Sequence, residues 1–181
     1  GILLSSAIKK YSDLYGVSCG KKNIFLTNND TAYETAISLI QKGINVKAII
    51  DNREIVDSKL FYELEKNNVK IYKGFTVTDT EGFKRINKVS IMQLSKDGQK
   101  VIGSKIKISC DCLGVSGGWT PSVHLFTQSG GKLKFRDEDQ VFIPSIYPSD
   151  QLSIGSSNGD FTLDEILANT PKSLINFLKI K

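Results

Sequence analysis

The sequence predicts an α/β fold, a three-layer βαβαβ unit that runs into an antiparallel β-meander, with flanking segments of a second, incomplete domain. Three observations carry this. Ile24-Phe25-Leu26 and Val46 to Ile50 are short apolar runs, and Ala32 to Ile40 between them has apolar residues at helical spacing. Beyond Val69-Lys70-Ile71-Tyr72 the apolar period drops to two, through Val77, Ile86, Val89, Ile91, Val101, Ile106 and Ile108. After Gly117-Gly118 the texture changes to short strands, prolines and small-residue turns.

Taken in order, Leu3, Leu4, Ile8, Tyr11, Leu14 and Tyr15 recur near helical spacing, so the chain opens in an amphipathic helix that ends near Gly16. Strand 23–27, helix 31–42 and strand 45–50 make the first β-α-β, with Gly43 as the helix stop. Helix 57–67 follows, with Asp57 as its cap and Leu60, Phe61 and Leu64 on one face. The strand at 69–72 is parallel to the first two by the right-handed crossover rule. Asp97-Gly98 marks a hairpin turn inside the meander, and Leu113-Gly114-Val115 is a last buried strand. In the tail, strands are expected near 132–135, 140–143 and 152–155, with Ser156 to Asp160 as a small-residue loop. Thr162 or Asp160 then caps a helix through Ile166, and a separate helix starts at Pro171 with Thr170 as its cap. The expected domains are a helical segment of a flanking domain over 1–19, a Rossmann-like domain over 20–118 and the C-terminal part of the flanking domain over 119–181. Opening on Gly1 inside an amphipathic segment, the sequence reads as a piece of a longer polypeptide.

The 181 residues are 40% hydrophobic, enough for one or two domains with a true core, and the formal net charge of +5 is spread along the chain. No long basic run or aromatic-basic interleaving points to nucleic acid. Three cysteines without a Cys-x-x-Cys give no dithiol centre, and Cys110 and Cys112 read as strand residues. With His124 the sole histidine, a zinc site lacks ligands. No stretch is long and apolar enough for a membrane span, so a cytoplasmic location is expected.

A β-α-β unit that binds a dinucleotide needs Gly-x-Gly-x-x-Gly in its first turn, so that backbone approaches the pyrophosphate at the helix N-terminus. Here that stretch is Thr27-Asn28-Asn29-Asp30-Thr31-Ala32. Asp30 or Asn29 at the helix start supplies its own acceptor, and an Asp carboxylate there repels a phosphate. The crossover is therefore expected to be structural, its anion site filled from within. Asp51 stands 22 residues after Asn29, near the position of a ribose-binding acid, but is expected as a solvated strand-end acid beside Arg53. The loop 155–160 before the tail helix is a second candidate anion-binding point.

Four segments, Ile24 to Tyr33 (IFLTNNDTAY), Cys110 to Leu125 (CDCLGVSGGWTPSVHL), Gln128 to Leu133 (QSGGKL) and Ile154 to Leu163 (IGSSNGDFTL), resemble the α subunit of bacterial heterotetrameric sarcosine oxidase. They also resemble its relatives among pyridine-nucleotide-disulfide-oxidoreductase-like proteins. The resemblance implies two nested dinucleotide-binding-like domains in that subunit, with residues 20–118 matching the inserted, degenerate one. It implies NAD bound in the other domain of an intact subunit, and FAD and FMN elsewhere in the holoenzyme. It also implies a reaction in which sarcosine is oxidised to glycine, with formaldehyde or methylene-tetrahydrofolate and hydrogen peroxide formed, and no catalytic residue in this segment. The cofactor-facing residues it carries over are Gly155, Ser156, Asn158 and Gly159, with the position of an acidic residue falling on Ser156 or, shifted, on Gly159-Asp160. The implied partners are the remaining part of the alpha subunit and the other subunits. Apolar faces left over 1–18 and 119–181 predict self-association of the chain.

His124 and Trp119 are expected as structural residues at a junction, Trp119 packed between the halves. The alternative class, a self-sufficient NAD(P)H-dependent reductase or nucleotide-binding module, is disfavoured by the missing glycines.

Overall fold

The computed structural model describes residues 1–56, 58–148 and 150–179. The chain divides into two compact units, Gly1–Gly118 and Trp119–Lys181.

In the first unit β1 (Ile2–Leu4), α1 (Ser5–Tyr15), β2 (Asn23–Thr27), α2 (Thr31–Gln41), β3 (Val46–Asp51), α3 (Lys59–Lys66) and β4 (Lys70–Lys73) alternate. The meander β5 (Phe75–Gly82), β6 (Ile86–Leu94), β7 (Val101–Ser109) follows, and β8 (Cys112–Ser116) returns to the first sheet. That sheet is parallel throughout, in the order β1-β8-β2-β3-β4, and the meander is a separate antiparallel sheet. The predicted three-layer α/β architecture is the one observed.

Strand alternation builds the layers. From β2, Phe25 faces a core shared with Ile8 of α1, Tyr33, Ala36 and Leu39 of α2, and Phe61 and Leu64 of α3. Ile24, with Ala48 and Ile50 of β3 and Leu113 of β8, faces Val89, Ile91 and Ile108 of the meander. Being buried on both faces, β2, β3 and β8 are apolar at consecutive positions rather than alternately, which is why they read as short continuous runs. Gly114 lies where Phe25 and Ile8 close over β8, and a Cβ there would meet the Phe25 ring at 2.4 Å. Helix α2 stops as predicted: Gly43 takes φ 74°, and the Gly43 and Ile44 amides donate to the carbonyls of Ile40 and Leu39.

The opening of the chain differs from expectation. Ile2-Leu3-Leu4 is a strand paired with Leu113-Gly114-Val115, and only from Ser5 is the chain helical. Residues 1–19 pack as part of the first unit, with Ile8 of α1 in its core. Three apolar residues running straight into an amphipathic helix fit its period, and nothing local reveals the β8 edge that pairs with them. Helix α3 starts later than predicted, capped by Ser58, whose hydroxyl accepts from the Leu60 amide; Asp57 lies outside the described residues. Cys110 is not in a strand but in the buried turn between β7 and β8, while Cys112 is in β8 as expected.

In the second unit α4 (His124–Gln128), a short helix not predicted, precedes the antiparallel hairpin β9 (Lys132–Arg136) and β10 (Val141–Ile146). No strand forms at 152–155; Gly155–Asn158 is a turn of 3-10 helix. The tail is one helix, α5 (Leu163–Lys179), with Pro171 inside it rather than at a new N-terminus. Proline removes one backbone donor at a cost of about 3 kcal/mol, yet Leu163, Ile166, Leu167, Leu174, Phe177 and Leu178 keep one helical stripe across the break. Between the two candidate caps the structure selects Thr162. Its hydroxyl accepts from the Glu165 amide while the Glu165 carboxylate accepts from the Thr162 amide, a capping box.

Candidate functional site at the carboxyl edge of the parallel sheet

In an open parallel sheet, ligands bind outside the carboxyl ends of the strands where the strand order reverses. Here the chain runs outward from β2 through β3 to β4 and returns to β8 on the other side of β2. The crevice is thus between the ends of β2 and β8, at the N-terminus of α2.

Side chains bridge that crevice. Asn28 Nδ2 donates to the Gly117 carbonyl at 3.1 Å, and Asn29 Nδ2 donates to the Ser116 carbonyl at 3.2 Å. The Thr31 and Ser116 hydroxyls meet at 2.7 Å. Asn29 Oδ1 accepts the Thr31 amide N–H at 3.0 Å and the Thr31 hydroxyl at 2.5 Å. Of the two cap candidates Asn29 is therefore the residue whose side chain bonds the helix start, while Asp30 makes no side-chain cap bond.

Asp30 instead faces Arg53. The Arg53 guanidinium reaches Asp30 at 2.7 Å and Asp51 at 2.8 Å, and the Arg53 backbone amide donates to Asp51 as well. Asp51 is fully buried, at 0% exposure, and its other contact is the Tyr33 hydroxyl at 2.9 Å. The expected neighbour is present, but the expected solvation is not. Tyr33 projects from α2 eighteen residues earlier, so nothing local announces that it will roof Asp51. Burial pushes the Tyr33 phenol far above its ordinary range, and the Asp51 charge pushes it further. Burial works to lower the Arg53 guanidinium, but bonds to Asp51 and Asp30 outweigh it and hold the group charged. The cluster is satisfied internally and offers neither a free base nor a free nucleophile.

Other reactive side chains are equally quiet. Burial raises the Cys110 thiol and pushes the Cys112 thiol up to about 11, which leaves both as thiols near neutral pH. Among the described residues no three His, Cys, Asp or Glu side chains could hold a metal ion. His124 is exposed at the start of α4, and Trp119 is exposed rather than packed.

The four tail residues carried over from the resemblance are adjacent in the 3-10 turn. Gly155 and Gly159 both have positive φ. A Cβ on Gly155 would sit 3.7 Å from Ile166, and one on Gly159 would lie 2.8 Å from the Arg136 guanidinium and 3.0 Å from Ile143. The left-handed backbone thus favours glycine at both positions, and close packing against Arg136 and Ile143 adds to it at Gly159 alone. The Asn158 side chain accepts from the Tyr147 hydroxyl, and Ser156 is exposed. Sequence reading missed Tyr33, Thr31 and Ser116 as members of the first cluster.

Comparison with known proteins gives relatives of a segment. No protein-family model matches the chain. It is 32% identical over 163 residues to the sarcosine oxidase subunit alpha of Corynebacterium sp. strain P-1, and 27% identical over 143 residues to that of Rhizobium meliloti strain 1021. These alignments cover 89% and 79% of this chain. The chain is homologous to a segment of sarcosine oxidase alpha subunits. It spans 16% and 13% of the length of those two relatives. Solved structures give the fold. A thioredoxin reductase from T. acidophilum superposes with a TM-score of 0.59 at 18% identity, covering 96% of this chain and 58% of that one. A flavoprotein disulfide reductase from Escherichia coli gives 0.63 at 13% identity, covering 95% and 37%. The fold is that of FAD/NAD(P)-binding, disulfide-reductase-like proteins.

Proposed function

We propose that this chain is a non-catalytic, dinucleotide-binding-like scaffold of the alpha subunit of a sarcosine oxidase. In that multi-subunit flavoenzyme, sarcosine is oxidatively demethylated to glycine with formation of formaldehyde or methylene-tetrahydrofolate and hydrogen peroxide. The observation that carries the scaffold reading is the bridged crevice. A dinucleotide pyrophosphate needs the amides at the α2 N-terminus, and Asn29 Oδ1 already accepts one of them. The Asp30 carboxylate at the same turn opposes an anion, and the positive charge of Arg53 is already held by Asp51 and Asp30. The residues present do not fit the cofactor's phosphates.

NAD binding in an intact subunit, and FAD and FMN in the holoenzyme, are assigned to parts outside this segment. Any contribution from this chain comes from the backbone at Gly155, Ser156, Asn158 and Gly159, with Ser156 the exposed member. The partners are the rest of the alpha subunit and the other subunits, in the cytoplasm; no helix among the described residues is long and apolar enough to cross a membrane. The same need for partners supports self-association of the chain alone. Tyr11, Leu14 and Tyr15 on α1 and Leu163, Leu167, Leu174 and Leu178 on α5 are exposed.

Isothermal titration of the purified chain with NAD+, NADP+ and FAD tests the scaffold reading. No binding tighter than roughly millimolar is expected, against the micromolar affinity of a working site. A micromolar constant abolished by Arg53→Ala would replace the scaffold with a nucleotide-binding module.

A further inference from the structure

Two hairpins of the chain expose aromatic side chains beside charges of opposite sign. The first joins β5 to β6. Gly82 pairs with Ile86, so Phe83-Lys84-Arg85 forms the turn between them. That turn is tightly closed: a Cβ on Gly82 would meet the Arg85 carbonyl oxygen at 1.9 Å. Phe83 is 96% exposed, and Lys84 and Arg85 beside it are exposed as well. The acids within reach are already engaged. Glu81 pairs with Lys88 and Lys107, and the Asp111 carboxylate, which feels the Arg85 charge, accepts the Lys21 and Lys22 amides. The tip therefore combines an uncovered ring with two positive charges.

The second hairpin joins β9 to β10. Phe135 and Phe142 stand opposite each other in register and share a face, their rings tilted edge to face with centroids 5.1 Å apart. Arg136, Val141 and Ile143 lie on the other face, where Arg136 donates to the Gly159 carbonyl at 3.0 Å and Ile143 packs close to Gly159. The aromatic pair thus points away from the 3-10 turn, and its rings remain 45% and 53% exposed. In the turn that follows, Asp139 holds Arg136, whereas Asp137 and Glu138 are exposed. Among the described residues, Lys84, Arg85, Asp137 and Glu138 form no ion pair.

We propose that these hairpins are the two halves of a contact between copies of this chain. The Phe83 ring of one copy lies against the Phe135–Phe142 pair of a second, with Lys84 and Arg85 paired to Asp137 and Glu138. Burial of the three rings supplies most of the attraction, and an edge-to-face arrangement suits them. The charge pairs stay solvated, so they add little affinity but select the partner and fix its orientation. The surfaces are unlike, which makes the contact heterologous, and its small extent makes it weak. It is distinct from association through the apolar faces of α1 and α5, which charge does not govern, and it does not rest on the scaffold reading.

Sedimentation equilibrium of the full chain at low salt, over a range of concentrations, tests it. The average mass is expected to rise with concentration, and added salt should reduce that rise. Phe83→Ala should lower the association constant roughly ten-fold, as for loss of an aromatic anchor. One variant carries Lys84→Glu with Arg85→Glu, and another carries Asp137→Lys with Glu138→Lys. All four positions are exposed and Asp139 is left to hold Arg136, so both variants fold, which circular dichroism checks. Each alone should be monomeric, because like charges then meet across the contact. An equal mixture of the two should associate again, since the basic tip of the second meets the acidic hairpin of the first. A parent chain that stays monomeric, or a mixture that does, would overturn the proposal. Variants that associate as tightly as the parent would overturn it too, and would trace self-association to α1 and α5.

Discussion

At the start of α2, Asn29 turns its amide oxygen onto the Thr31 N–H, and the adjoining Asp30 and Asp51 share the Arg53 guanidinium. At the start of α1, in the same sheet and facing the same edge, Leu4 supplies no acceptor and the first turn holds no acid. The two turns share a backbone plan and differ in whether a side chain caps the helix. A fold that presents several helix N-termini along one edge thus sets the capping of each by one or two side chains.

The strongest way to break the contrast is to remove the clamp at α2. Arg53→Ala leaves Asp51 buried without its counter-ion, bonded by the Tyr33 hydroxyl and the backbone amide of residue 53. Loss of one partner of a buried pair is costly, and because Arg53 is itself 34% exposed the expected loss is about 2–4 kcal/mol in urea unfolding. Replacing both groups, as Asp51→Asn with Arg53→Met, should recover part of it, since no charge is then stranded. Equal loss in the single and double variants would mean that packing, not charge, holds the turn.

Next in size is Asn29→Ala. It gives up the bonds to the Thr31 amide and hydroxyl and to the Ser116 carbonyl, and should cost about 1–2 kcal/mol. The opposite sign is expected at α1. Leu4→Asp adds a cap at a residue already extended and 65% exposed, and should stabilise by about 0.5–1 kcal/mol. Thermal unfolding of the two variants side by side sharpens the comparison; destabilisation by Leu4→Asp would show that the α1 turn is already satisfied.

How much of this contrast is legible beforehand depends on the range of each interaction. The α2 turn is readable because Asn28-Asn29-Asp30 stands where glycines belong, and the Asn29 cap acts over two residues. The Thr162–Glu165 capping box is local in the same way. Asp51 is misjudged because its burial comes from Tyr33 on a different element, and a strand-end acid beside an arginine looks solvated in sequence. β1 is misjudged because three apolar residues fit a helical stripe as well as a strand, and the β8 edge that decides is more than a hundred residues away. Pro171 misleads in the other direction: a strong local breaker is overridden by an apolar stripe that continues past it.

The helices that differ at their N-termini are joined near their other ends, and that junction gives the smallest effect. Asp13 of α1 pairs with Lys9 on its own helix and with Lys42, the C-cap residue of α2, and accepts from the Ser38 hydroxyl. Bonds from Lys42 and then Lys9 hold the Asp13 carboxyl at about 2, below its ordinary 3.8. A depressed folded-state value stabilises the fold above the unfolded value, so this contribution is complete above about pH 4 and is lost as pH falls through about 2. Asp13→Asn should therefore lower the urea midpoint slightly at pH 6, and the gap between variant and parent should close by pH 2. Added salt should narrow it at pH 6, because the pair is exposed and screened. A gap that persisted at pH 2 would trace the effect to the Ser38 bond rather than to the lysines, and would leave α1 and α2 tied by hydrogen bonding alone.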